Sequence, residues 1–449
     1  MEFSLAQVQE VTGAQILNPN GPLRVRGWSI DSRSLEAGDL FFAIKGETFD
    51  GHAFVGPAFE RGAVAAVVSE ELVGISEPLL RVPDVLRALQ TLALWGRREW
   101  GRPVVAVTGS AGKTSTKDII AACLGAQFQT GKTIGNYNNH FGLPLTLLRL
   151  PEEAEVAVVE MGMNHAGEIR QLATIAEPQI GVVTNVGYAH VEFFDGIEGV
   201  AAAKRELIEA LPPNGVAVLN ADDPRVLKFR DVHPGRSITF GMCPQADLRA
   251  EHLEMHAGGA AFTVRGVRFE TKLAGRHSVS NILAGLTVAT EFNIPLSDLV
   301  LVVAGLAPSR MRGERYAWHG AIILDDSYNS NPDALRSMLD VLREEPARRR
   351  IAVLGEMLEL GQMAEKLHRE LGAYAAHSGV DVLVGVRGVS RLMVEEARRA
   401  GLSDHAALFF EDPASAGDFL REFVRPGDAI LFKGSRGTHV EKALAVMER

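Results

Sequence analysis

The chain has 449 residues, 46% of them hydrophobic and 23% charged, a composition ordinary for a folded globular protein of about two to four domains. A net charge of −10 excludes a general nucleic-acid binder, so any anionic substrate has to be met by local cations. Two cysteines, Cys123 and Cys243, give no disulfide framework and suit a reducing cytoplasm. The apolar runs are too short to span a bilayer, and the N-terminus lacks a signal-peptide core.

Residues 1–83 read as a small α/β unit. A strand is expected over residues 39–44, a short helix over 53–61 stopped by Gly62, and the next strand over 64–68. Ser32, Arg33, Lys45 and His52 fall in the loops around these elements. A guanidinium and an ammonium so placed complement a diphosphate, although the same residues suit a solvated loop of turn residues. Residues 84–100 carry Val85, Leu86, Leu89, Leu92 and Ala93 at helical spacing, and Gly96 is expected to fray or bend that helix.

The middle unit, residues 84–307, is built around VVAVTGSAGKTSTK at 104–117. Four apolar residues read as a buried strand. The turn Thr108, Gly109, Ser110, Ala111 and Gly112 follows, then Lys113, Thr114 and an apolar helical pattern. This is the layout of a phosphate-binding loop: glycines let backbone N–H groups turn toward phosphate oxygens, and the helix N-terminus adds partial positive charge. Lys113 would reach the outer phosphates and the Thr114 hydroxyl would ligate Mg²⁺. The spacing is G-x-x-G-K-T; the commoner G-x-x-x-x-G-K-[ST] would need glycine where Val107 stands. An ordinary glycine-rich βα turn with a surface lysine is the alternative.

Further apolar strands end in polar groups. Residues 156–159 lead into Glu160, a candidate Mg²⁺ ligand or water-holding base, with a helix cap as the alternative. Residues 180–184 lead into a loop ending at His190, which suits metal or phosphate. A helix at 199–210 carries Lys204. Residues 247–273 alternate and predict antiparallel strands at the far side of the sheet. A helix then opens near Gly275 and runs to Phe292, with Ser278 or Ser280 as its cap and His277 and Asn281 at its start. Residues 308–315, PSRMRGER, read as a hinge. Residues 308–449 form a third α/β unit, with strands expected at 321–324, 351–354, 382–384 and 429–432. The fold class is therefore α/β in three units: a small N-terminal one, a central P-loop-type mostly parallel sheet with helices on both faces, and a C-terminal Rossmann-like one.

These stretches together are similar to a known family. DSRSLEAGDLFFAIKGETFDGH, TGSAGKTSTK, GNYNNHFGLPLTLL, EMGMNHAGEI, NVGYAHVEFF, AKRELIEAL, GRHSVSN, MRGER, DDSYNSNPDAL, LGEMLELG and LFKGSRGTHVE resemble blocks of the Mur ligases, which build the peptide stem of the bacterial cell-wall precursor. The resemblance is greatest to the type that joins D-alanyl-D-alanine to the UDP-N-acetylmuramoyl-tripeptide. No DNPR motif, frequent in the type that adds diaminopimelate or lysine, is present. His140, Phe141, Tyr188 and Glu356 depart from the family pattern.

The resemblance implies amide formation driven by ATP, through an acyl phosphate, in the cytoplasm, by a monomer without nucleic-acid or membrane partners. It implies that the loop Thr108 to Thr114, with Asn281, Arg312 and Asp326, binds ATP. Lys113, Glu160, His190 and Lys204 would be catalytic. Thr114 and Glu160 would hold one Mg²⁺, and His190 with a carboxylated Lys204 a second. Ser32, Arg33 and Lys45 would bind the UDP-substrate, and Tyr328, Asn329, Asn331, Lys433 and Ser435 would lie on the acceptor side. Competing readings are a ligase adding a diamino acid, a folylpolyglutamate-type ligase, and a nucleotide-dependent switch indifferent to any acceptor amine.

Overall fold

A strand that is apolar along its whole length has to be covered on both faces, and helices supply the cover. Val104–Thr108, Val156–Glu160 and Ile180–Val183 are buried throughout and pair in parallel at the middle of a seven-stranded sheet. Its order is Leu248–Arg249, Arg236–Gly241, Val216–Asn220, Ile180–Val183, Val104–Thr108, Val156–Glu160 and Thr130–Lys132, all parallel. After Val104–Thr108 the chain builds two strands on one side and then crosses to build the rest on the other. The carboxyl end of that strand is thus the topological switch point, where such sheets open a ligand crevice.

The structure, a computed structural model, describes residues 1–449 except Asn20, Pro22 and Glu47. Glu47, inside one of the quoted motifs, therefore lies outside the described residues. Ahead of the central sheet stands a five-stranded one, ordered Gln15–Leu17, Leu79–Arg81, Ala65–Val68, Asp39–Phe42 and Gly27–Ser29, antiparallel only at its first pair. After it stands a six-stranded one, ordered Glu314–Trp318, Ala321–Asp325, Asp428–Lys433, Arg349–Gly355, Val382–Val386 and Ala407–Phe410. Again only the first pair is antiparallel. One apolar cluster contains Trp28 and Leu40 of the first sheet, Leu92, Ala106 and Leu148 of the middle, and Leu324 and Leu354 of the last. The fold is mixed α/β with largely parallel sheets, as the sequence predicts.

Four local expectations need correction. Gly96 does not fray its helix, which runs unbroken over Val85–Trp100, capped by Asp84 and closed by left-handed Gly101. A Cβ at Gly96 would lie 3.3 Å from Leu148 and 3.5 Å from Phe3, so the missing side chain lets this helix pack closely between the first and middle units. Neither Ser278 nor Ser280 caps Arg276–Glu291; the cap residue is Gly275, and the Ser278 hydroxyl donates to the Ala274 carbonyl at 2.7 Å. The alternating strands Glu251–His256, Gly259–Val264 and Val267–Thr271 are antiparallel as expected but form a sheet of their own, with Phe262 and Phe269 in one apolar cluster with Val279 and Ile282. The third unit has two strands beyond the expected four: Glu314–Trp318, which begins inside the predicted hinge, and Ala407–Phe410.

Candidate active site

The loop at the switch point owes its shape to two glycines. A Cβ on Gly109, φ 155°, would lie 1.9 Å from Thr184 Oγ1, and one on Gly112, φ 77°, would lie 2.8 Å from Asn281 Oδ1. Only residues without side chains fit there. The turn between them is tied from beneath: Asn185 Oδ1 accepts the Ala111 N–H at 2.8 Å, and Ser110 Oγ donates to the Gly187 carbonyl at 3.0 Å while accepting the Gly187 N–H at 2.8 Å.

Above the loop opens a cavity of about 1030 Å³, walled by Ser110 to Thr114 on one side and by Arg312, Asp326 and Lys433 on the other. Thr108 and Gly109 stand behind it; the Thr108 hydroxyl is spent on the Met161 carbonyl at 2.9 Å. Thr114 opens the helix Lys113–Leu124, and its hydroxyl donates to Glu160 Oε2 at 2.8 Å. The other carboxylate oxygen accepts from Asn138 Nδ2 at 2.7 Å. Asn138 comes from the loop Asn136, Tyr137, Asn138, Asn139, and no signal in the sequence pairs it with Glu160.

Three cations crowd this end of the sheet. Lys113 Nζ folds back on the Gly109 carbonyl at 2.9 Å. Burial pushes its pKa down, Glu160 opposes that, and Arg312 adds to it, so a cation of the third unit already lies within electrical reach of the loop. Lys204 is buried on its helix Gly196–Glu209, and burial together with the neighbouring Lys113 depresses its pKa strongly. Among the described hydrogen bonds and ion pairs it has no partner.

His190 sits at the mouth, its Nδ1 2.6 Å from Glu359 Oε2 of the third unit. The approach is close but not aligned as a straight hydrogen bond. This contact holds the Glu359 carboxyl below its usual range. Glu359 was missed by sequence reasoning because nothing local marks a residue whose partner lies far along the chain.

The third unit brings its other candidates to the same cleft with mixed employment. The Arg312 guanidinium lies 3.9 Å from the Tyr328 ring centre, a cation–π stack that fixes its direction. Asn331 caps Pro332–Glu344 through Oδ1, which accepts the Ala334 N–H at 2.9 Å, and reaches the Ser110 carbonyl through Nδ2 at 3.3 Å. Asp326 is ion-paired with buried Lys433, whose Nζ also donates to the Asn329 carbonyl at 2.9 Å. Asn329 Oδ1 accepts the Ser330 N–H, and Ser435 Oγ accepts the Leu358 N–H, both at 2.9 Å. Asn281 accepts from Thr116 Oγ1 at 3.1 Å beside Gly112. His277 is half-buried, its pKa lowered by desolvation, and it faces Asp326 and Lys433.

Ser32, Arg33 and Lys45 do not line this cleft. Arg33 is turned onto Asp31 through two bonds of 2.9 and 2.7 Å, Lys45 pairs with Asp50 at 3.4 Å, and Ser32 is buried. His52 is a structural residue: its Nε2 accepts the Ser69 N–H at 2.9 Å, so its Nδ1–H faces Asp50 at 2.6 Å. Among the described residues no helix is long and apolar enough to cross a membrane.

Fold and cleft together define a multi-unit α/β protein with a phosphate-binding loop at the switch point of its central sheet. Family models match in three stretches: the Mur ligase family catalytic domain at residues 24–95, the Mur ligase middle domain at 107–289, and the Mur ligase glutamate ligase domain at 310–436. A UDP-N-acetylmuramoyl-tripeptide--D-alanyl-D-alanine ligase of Bacillus subtilis is 35% identical over 98% of this chain and 97% of its own length. A MurF crystal structure from Acinetobacter baumannii superposes with a TM-score of 0.91 at 30% identity, covering 100% of this chain and 99% of that one. MurF from Thermotoga maritima, in complex with ADP, gives 0.84 at 30% identity over 94% and 97%. The chain belongs to the Mur ligase family.

Proposed function

We propose that this protein is an ATP-dependent amide ligase that joins D-alanyl-D-alanine to UDP-N-acetylmuramoyl-tripeptide in the cytoplasm. The observation that carries the reading is the meeting, at one cleft, of Lys113, Thr114 and Glu160 from the central sheet with Arg312 from the third unit. Likeness along the whole chain to relatives so named supports the choice of substrates. The three units would divide near residues 83 and 307, with the UDP-substrate bound by the first through Ser32, Arg33 and Lys45.

In the reaction, a carboxylate oxygen of the tripeptide forms a bond to the γ-phosphorus as the bond to the ADP oxygen breaks. The resulting acyl phosphate is attacked at carbon by the neutral amine of D-alanyl-D-alanine. The carbon–oxygen bond then breaks, phosphate leaves with the electron pair, and the amine loses a proton. Anions must approach one another in the first step, so positive charge near the loop is the main requirement. Lys113 and Arg312 supply it from two units, with Asn281 and Asp326 beside them for the nucleoside. The seated third unit also keeps out water, which would hydrolyse the acyl phosphate. Tyr328, Asn329, Asn331, Lys433 and Ser435 form the wall from which the acceptor would approach.

The Thr114 hydroxyl and Glu160 carboxylate, 2.8 Å apart, are hard oxygen donors of the kind Mg²⁺ takes. His190 and Lys204 fit a second ion only if Nζ of Lys204 carries CO₂; an ammonium repels a cation, whereas the carbamate is an anionic oxygen donor. An unpartnered, buried Lys204 whose pKa is driven down suits that modification, because the neutral amine is the form that adds CO₂. When bound, the ions would neutralise phosphate charge.

The test is phosphate release with the UDP-tripeptide present and the acceptor varied. D-alanyl-D-alanine should stimulate turnover, and diaminopimelate, lysine and glutamate should not. Stimulation by a diamino acid or by glutamate would replace this reading with one of the other ligases, and turnover indifferent to every amine would leave a nucleotide-dependent switch.

A further inference from the structure

The contact between His190 and Glu359 joins two units at the edge of the cleft, and the backbone on both sides is shaped for it. His190 holds φ 61° and Glu359 holds φ 62°. A left-handed backbone is unfavourable for residues bearing a side chain and persists only where the surroundings impose it. Here the Glu192 N–H donates to the Glu359 carbonyl at 3.1 Å. At Gly361, φ 51°, a Cβ would lie 3.2 Å from Glu192 Cα, so glycine lets the two loops meet backbone to backbone. The two strained residues thereby face each other, Nδ1 to Oε2 at 2.6 Å. Nδ1 of His190 is buried and makes no aligned hydrogen bond, so the Glu359 carboxylate at 2.6 Å is the one acceptor placed to take its proton among the described ion pairs; Glu359 has no lysine or arginine within ion-pair distance among the described residues.

We propose that Glu359 is a positioning residue lent by the third unit: its carboxylate keeps the proton of His190 on Nδ1 and so leaves Nε2 free as a metal donor, only while that unit is seated. A neutral imidazole has one donor and one acceptor nitrogen, and the partner of one decides the role of the other. A carboxylate behind a metal-binding histidine fixes both tautomer and ring direction. The inference rests on the reading of His190 as a metal donor given above.

The experiment measures free Mn²⁺ by electron paramagnetic resonance, with a non-hydrolysable ATP analogue and the UDP-tripeptide, for wild type, Glu359→Ala, Glu359→Gln, His190→Ala and the Ala/Ala double variant. Glu359→Ala should weaken the site roughly 10- to 100-fold, the range for losing the outer partner of a metal ligand. Glu359→Gln, whose amide oxygen still accepts from Nδ1–H, should weaken it less, and the double variant should bind no worse than His190→Ala alone. If Glu359→Ala binds as wild type, or its loss adds to that of His190→Ala, the proposal is overturned while the ligand role of His190 stands. If His190→Ala binds as wild type, the metal-donor reading itself has failed. Glu359 is half-exposed, and thermal unfolding of each variant checks the fold; should the alanine variant not fold, the glutamine variant and ¹⁵N-histidine spectra of the His190 tautomer carry the same decision.

Discussion

The side-chain amide of Asn331 donates to the carbonyl of Ser110 at 3.3 Å, tying the first turn of a third-unit helix to the phosphate-binding loop of the central sheet. The same side chain caps its own helix. One residue therefore stabilises the third unit locally and seats it on the loop.

Replacing Asn331 by alanine should separate those two effects. Loss of the cap costs about 1 kcal/mol, visible as a lower unfolding midpoint. Loss of the bond to Ser110 should raise the KM for ATP. Asn331→Asp keeps a capping oxygen but no donor, so it should recover the midpoint and not the KM. Equal recovery of both would mean the contact with Ser110 contributes nothing to binding.

Thr114→Ala and Glu160→Gln act on the oxygen pair at the floor of the cleft. Each should lower kcat by roughly 10²-fold or more, the scale for removing one group from a preorganised electrostatic site. Each should also raise the Mg²⁺ concentration needed for half-maximal rate. A rate loss with unchanged Mg²⁺ dependence would assign these residues a role other than metal binding.

Lys204 is buried beside Lys113 and has no counter-charge among the described ion pairs. Lys204→Ala should abolish most of the turnover, and a short carboxylic acid should restore part of it by entering the space as an oxygen donor. Complete absence of recovery across several acids would count against carboxylation.

His368 provides a pH test away from the cleft. Its Nε2 accepts the Met357 N–H at 3.0 Å and its Nδ1 donates to the Ala364 carbonyl at 2.6 Å, an arrangement only the neutral ring can make. Burial lowers its pKa from the ordinary 6.5. The unfolded chain therefore binds the proton first as pH falls below 6.5. Its contribution to stability is full above that value and is lost as pH drops through the folded pKa. Unfolding midpoints from pH 7.5 to 4.5 should fall more steeply for wild type than for His368→Gln; parallel curves would remove His368 from the account.

What was legible in the sequence was what a short window contains. Residues 104–117 carry their own strand, turn and helix signals, and the polar residues ending neighbouring strands, Glu160 and His190, are found by asking where apolar runs stop. Partners from distant segments leave no such trace: Asn138 under Glu160 and Glu359 against His190 became visible only when the sheets were assembled. Gly96 misled because helix propensity disfavours it, while close packing on Leu148 and Phe3 overrides that preference. Glu314–Trp318 was missed because its alternating, half-exposed pattern looked like the end of a hinge. Ser32, Arg33 and Lys45 were ambiguous as residues and remain apart from the cleft, two of them paired with neighbouring aspartates.

The most direct test of the central claim follows an oxygen atom. With ¹⁸O in the terminal carboxylate of the tripeptide, turnover with ATP and D-alanyl-D-alanine should place one ¹⁸O in each phosphate released, since that oxygen bonds to phosphorus and leaves with it. Phosphate free of label, alongside normal amide formation, would contradict the acyl-phosphate route.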